Sequence, residues 1–158
     1  MTQFETILLG VAAGILTTMT IFIAKGIWLK IILPSYQSAR YQGADISGSW
    51  EKDYENKQKG TLSSFSFVIK QNAHDVSGSL YFVHKSPEKN FSVDYELIGE
   101  YWEGYLTLSC RSKDRRVFSQ GAIFLKLTNN GKAFNGYFSF RNSSDDIVSS
   151  NKLELKRN

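Results

Sequence analysis

The chain changes its hydrophobic pattern once. From Thr6 to Ala24 it reads TILLGVAAGILTTMTIFIA, nineteen residues without a charge, and apolar character resumes after Lys25 as far as Leu33. A run that is apolar on all sides, rather than along one stripe, predicts a membrane-spanning helix. About 20 residues at roughly 1.5 Å each match a hydrocarbon core of about 30 Å, and a helix satisfies its own backbone hydrogen bonds in lipid. Pro34 predicts the end of that helix. After Ile46 the period changes to two. Phe65-Phe67-Ile69, Val76-Gly78-Leu80-Phe82, Phe91-Val93-Tyr95-Leu97, Gly121-Ile123-Leu125-Leu127 and Phe134-Gly136-Phe138-Phe140 each fall on one strand face.

The alternation predicts strands over 47–55, 62–71, 75–84, 90–100, 103–111, 116–128, 132–141 and 147–156. Turn signals separate them: Lys59-Gly60, Asn72-Ala73-His74-Asp75, Ser86-Pro87-Glu88, Asn129-Asn130-Gly131 and Asn142-Ser143-Ser144-Asp145-Asp146. Eight antiparallel strands can stay an open sheet, fold as a sandwich or close as a barrel. Only closure removes both exposed edges, so the expected fold is an all-β, eight-stranded antiparallel up-and-down barrel behind one N-terminal transmembrane helix. The expected organisation is an anchor over 1–34, a linker over 35–46 and a barrel over 47–158. Such a barrel either fills its interior with side chains or holds one small ligand.

Charge separates the same two regions. Residues 1–46 hold five of the 34 charged side chains, and residues 47–158 hold 16 basic and 13 acidic ones. A net charge of +3 over the second region does not demand a nucleic-acid polymer, and it permits a small anion. Lys25, Lys30 and Arg40 all follow the uncharged core, and no Lys or Arg precedes it. The positive-inside rule therefore predicts an external N-terminus and a cytoplasmic barrel. The first five residues, MTQFE, lack the positive start of a secretory signal, so the anchor is expected to be retained. Gly10 and Gly14 form a GxxxG spacing and are the candidate helix–helix contact.

Ile46-Ser47-Gly48-Ser49-Trp50 opens the first strand with G-x-W, and Asp75-Val76-Ser77-Gly78-Ser79-Leu80 follows as an early strand. These residues resemble the calycin barrels, the lipocalins and avidins. The resemblance implies that Trp50 plugs one barrel end beneath a basic side chain near the last strand, either Lys156 or Arg157. The whole chain, an anchor followed by a barrel of about 110 residues, resembles the membrane-anchored β-barrel effectors of bacterial cyclic-oligonucleotide anti-phage signalling (CBASS). That resemblance implies a bacterial inner-membrane protein activated by a cyclic nucleotide from a partner nucleotidyltransferase. Such effectors then self-associate and disrupt the bilayer, arresting growth or killing the cell. Some relatives are described with two spans, and this chain has one candidate.

A cyclic dinucleotide requires donors for two phosphates and planes for two bases. The densest basic stretch is Arg111-Ser112-Lys113-Asp114-Arg115-Arg116, and Trp102, Tyr105, Tyr137 and Arg141 lie on nearby strands. Trp102, Tyr105, Arg111, Arg116, Tyr137 and Arg141 are thus the candidate ligand residues. A basic hairpin loop is also consistent with a solvated surface or a contact to anionic lipid, and the aromatics with core. His74, His84 and Cys110 have no metal-ligand spacing, and both histidines are expected at the surface. The carboxylate pairs Glu96/Glu100 and Asp145/Asp146 fall at strand ends and turns, and no nucleophile, P-loop or metalloprotease motif is present, so no enzyme activity, cofactor or metal is expected. The alternative function is a membrane-tethered lipocalin-like carrier of a lipid or small apolar ligand. A purely structural anchor is a third.

Overall fold

The computed structural model describes residues 2–114, 116, 119–141 and 147–158. The chain divides into two compact units, Met1–Tyr41 and Gln42–Asn158. In the first, helix α1 (Gln3–Ile27) starts at a reciprocal cap. The Glu5 backbone N–H donates to Thr2 Oγ1 at 3.4 Å, and the Thr2 N–H donates to Glu5 Oε2 at 2.9 Å. The T-x-x-E spacing carried this signal in the sequence. The hydroxyls of Thr17, Thr18 and Thr20 donate to the carbonyls four residues earlier at 2.9 Å, so the polar side chains of the apolar run satisfy themselves.

Pro34 does not end the helix. A π-helical turn (Trp28–Ile32) follows α1, and α2 (Leu33–Arg40) continues beyond it. The Leu33 N–H reaches back five residues to the Trp28 carbonyl, a slip that widens the helix just where a proline ring would strike the preceding turn. Pro34 itself sits in the first turn of α2, where a missing N–H costs least. Gln3–Arg40 is thus one helical stretch of 38 residues, long and apolar enough to cross a membrane.

The second unit is a closed antiparallel barrel in simple sequence order, β1 (Gly48–Asn56), β2 (Thr61–Asn72), β3 (Asp75–Lys85), β4 (Asn90–Trp102), β5 (Tyr105–Ser112), β6 (Gln120–Thr128), β7 (Ala133–Arg141) and β8 (Val148–Arg157). The eight expected strands all form, and the rows expected to share a strand face turn inward. Phe67, Ile69, Val76, Leu80, Tyr95, Leu97, Ile123, Leu125, Phe134 and Phe138 are buried. The largest difference is the start of β6, expected at Arg116 and found at Gln120. Asp114 Oδ1 accepts the Arg116 N–H at 2.9 Å, which puts Arg116 in a turn, and the Ser112 N–H donates to the Ser119 carbonyl at 3.0 Å just ahead of β6. Arg115, Val117, Phe118 and the expected turn over 142–146, with its Asp145/Asp146 pair, lie outside the described residues.

Two glycines show what the tight curl requires. A Cβ on Gly99 of β4 would lie 1.8 Å from the Thr107 carbonyl oxygen of β5, so only glycine lets the strands approach there. Glu103 and Gly104 both have positive φ, 47° and 86°, and join β4 to β5 in the two-residue turn that matches strand twist.

Candidate functional site

The two ends of the barrel are built differently. At the end where β1 begins, Trp50, Leu106, Leu125, Phe134 and Leu155 are fully buried. The Trp50 ring packs on Phe134 at 4.5 Å, and its Nε1–H donates to the Ile46 carbonyl at 3.0 Å. Arg157, rather than Lys156, covers the indole, with Cζ 5.4 Å from the ring centroid. Its Nη1 donates to the Asp45 carbonyl at 3.2 Å and its Nη2 to the Ser47 carbonyl at 2.6 Å. Hydrogen bonds from the Ser47 backbone and hydroxyl, with Arg157 nearby, hold the Asp45 carboxyl below its usual range. This is the plug that the calycin resemblance implied. It fills that end with buried side chains.

At the opposite end the same inward faces surround a cavity of about 710 Å³, well within the range of about 300–1,000 Å³ common to small-molecule sites. The inward positions of β2, β3 and β4 supply Phe65, Phe82 and Phe91. Phe65 lies 4.6 Å from Phe82, and Phe82 lies 5.8 Å from Phe91. Tyr54, Tyr95, Phe138 and Phe140 line the rest of the aromatic wall. Two polar pairs interrupt it. Ser63 Oγ meets His84 Nδ1 at 2.9 Å, and Tyr95 Oη meets Ser119 Oγ at 2.7 Å. Burial pushes the Tyr95 phenol upward, partly offset by the Ser119 bond, so it stays neutral and able to donate. Asn151, Arg141, Lys89, Lys152 and Ser92 add to the polar lining, and Lys89 Nζ lies 5.2 Å from the Phe91 ring. Cys110, buried deeper in the core, has its thiol pushed up to about 12 by burial, which removes it as a nucleophile at ordinary pH.

Of the six residues singled out in the sequence, Arg141 lines this cavity. The other five lie elsewhere. Trp102 is 52% exposed on the outer face, stacked flat on His74 at 3.5 Å. Tyr105 and Tyr137 also face outward, Tyr105 against Phe124 at 5.4 Å and Tyr137 opposite Phe124 in the strand register. Arg111 is exposed beside Glu96 on the outer face, and Arg116 is exposed and pairs with Asp114 at 3.3 Å. The outward placement was readable: Trp102 and Tyr137 have the opposite parity to Tyr95-Leu97 and Phe138-Phe140. Arg141 shares Tyr137's parity but reaches the cavity because it ends its strand.

His84 departs from its expected surface position. It shares the inward parity of Leu80 and Phe82, is only partly exposed, and its ring lies 5.3 Å from Phe91 inside the cavity lining. Ser63, Tyr95 and Asn151 were likewise missed, although each lies on an inward-facing row. Gly10 and Gly14 are exposed on α1, and neither has an atom against the position of its missing Cβ. No group of three or more metal-ligating side chains occurs among the described residues. No protein-family model, curated protein or solved structure matches this chain.

Proposed function

We propose that this protein is a membrane-anchored effector of bacterial anti-phage defence whose barrel binds a cyclic nucleotide in the mouth cavity. The observation that carries this reading is an aromatic-walled space of about 710 Å³ with a guanidinium in its lining, on a chain that also holds a helix able to span a bilayer. Phe65, Phe82 and Phe91 offer planes for a base, Arg141 a bidentate donor for phosphate, and the Ser63–His84 pair and Asn151 donors and acceptors for a base edge. The role is binding without catalysis. The anchor lies in the inner membrane with the barrel in the cytoplasm, consistent with Lys25, Lys30 and Arg40 following the apolar core. Ligand changes how barrels meet, confinement to two dimensions raises their effective concentration, and clustered helices compromise the bilayer.

The test is a panel of cyclic di- and trinucleotides added to the full chain in lipid nanodiscs and in detergent. The active ligand raises the thermal midpoint of the barrel and, in detergent, shifts the protein to larger species. A complete panel that produces neither effect contradicts the reading. One observation favours a second ligand class: seven aromatic side chains, with Val93 and Leu153, dominate the lining. A lipocalin-like carrier of an apolar molecule makes use of that wall directly. Mass spectrometry of solvent extracts from the purified protein then finds a stoichiometric apolar ligand, and co-expression with a nucleotidyltransferase leaves the membrane potential unchanged.

A further inference from the structure

The eight joins of the barrel are unequal. Seven are paired over between seven and eleven consecutive positions, whereas among the described residues β1 and β8 are paired only at Trp50↔Arg157 and Glu51↔Lys156. Past Glu51, Lys52–Asn56 runs alongside no ladder partner on that side. A side chain takes the place of the missing ladder. The Glu154 backbone N–H donates to the Tyr54 hydroxyl at 2.9 Å, and that hydroxyl lies 3.4 Å from the Lys152 carbonyl, to which it donates. The Tyr54 ring meanwhile lines the cavity and packs edge-on against Phe65 at 5.9 Å. Across the seam, Asn151 and Leu153 of β8 line the same cavity.

Local opening follows the join with the fewest bonds to break. Parting any other pair of strands breaks a full ladder, and parting β1 from β8 over the cavity breaks the two bonds of one phenol. We propose that the barrel opens sideways along the β1–β8 seam, with the Tyr54 hydroxyl as the latch, and that the ligand reaches the cavity through this seam. A group that displaces the Tyr54 ring releases β8, and a group that packs against the ring holds the seam shut. The role in ligand control rests on the cavity being a binding site, whereas the latch does not depend on which ligand fills it.

The full chain in nanodiscs tests this with two variants. Tyr54→Phe keeps the ring and removes the hydroxyl. Asp53→Cys with Glu154→Cys places two thiols beside the latch, two positions along each strand from the Glu51↔Lys156 pair, and a short bis-thiosulfonate bridge, cleavable by reduction, then bolts the seam where the ladder is missing. Cys110 stays out of that chemistry because it is buried. Backbone hydrogen exchange in Tyr54→Phe is expected to quicken roughly five- to tenfold at Glu154 and along Lys52–Asn56. Amides of β3 and β4 should change less than about twofold. Equal acceleration in all strands, or none at the seam, overturns the latch. The second readout is the binding rate of 8-anilinonaphthalene-1-sulfonate, an anion with a large aromatic surface suited to this lining. Its rate is expected to rise in Tyr54→Phe, fall at least tenfold in the bridged double-cysteine protein and recover on reduction. Unchanged rates in the bolted barrel mean admission through the mouth and overturn the seam route. A cyclic-nucleotide panel that binds nowhere would remove the proposed function and leave these two results standing.

Discussion

The plugged end and the mouth of the barrel are made from the same alternating pattern, yet one is solid and the other hollow. Trp50, Phe134, Leu106 and Leu155 meet in fully buried contact, and short turns such as Glu103-Gly104 draw the strands together around them. Phe65, Phe82, Phe91, Phe138 and Phe140 point inward just as faithfully, but they surround space. Polar side chains, Ser63, His84, Ser119 and Asn151, enter the lining at the hollow end. Inward periodicity therefore reports which face a residue occupies, and the size and chemistry of its cross-barrel partners decide whether that face is core or site.

Replacing one aromatic side chain at each end breaks this comparison most severely. Trp50→Ala removes a fully buried indole and its hydrogen bond, and is expected to lower stability by about 3–5 kcal/mol in denaturant unfolding of the nanodisc-held protein. Phe91→Ala at the mouth should cost less than about 1.5 kcal/mol, because Phe91 already borders a cavity and is partly exposed. Equal costs would mean that the mouth is packed core. Arg157→Ala should cost about 1–3 kcal/mol through the lost carbonyl bonds and indole contact. Arg157→Lys should recover only part of this, since an ammonium cannot match the planar fork.

A smaller effect is read in pH. Burial raises the Cys110 thiol from 9.0 to about 12 in the folded protein, so the unfolded chain loses that proton first. The contribution is complete below about pH 9 and declines as pH rises toward about 12. Tyr95, also raised by burial, acts in the same direction at higher pH. In Cys110→Ala the decline of the thermal midpoint above pH 9 should be shallower than in the parent protein. An identical slope would place its origin elsewhere.

Much of the fold was legible because barrel strands obey a local rule. Each inward row, from Phe65-Phe67-Ile69 to Phe134-Gly136-Phe138-Phe140, could be read without knowing its partner. Trp50 and its basic cover were legible to within one residue, Lys156 or Arg157. The helix end was not, because a proline is read as a stop and the π turn that accommodates Pro34 has no sequence mark of its own. The site was the least legible part. Richness in bases and aromatics drew attention to Trp102, Tyr105, Arg111, Arg116 and Tyr137, whereas cavity membership depends on parity and on position along each strand. His84 carried the right parity, and its setting opposite Ser63 emerges only from the β2–β3 register.

The central claim is that ligand occupies the mouth cavity and not the outer aromatic face. Calorimetric titration of the active cyclic nucleotide into two variants of the full chain tests it directly, one carrying Phe91→Ala with Arg141→Gln and the other Trp102→Ala with Tyr137→Ala. The expected result is affinity weakened at least tenfold in the first and unchanged within about twofold in the second. Loss of binding in the second with full affinity in the first would contradict it.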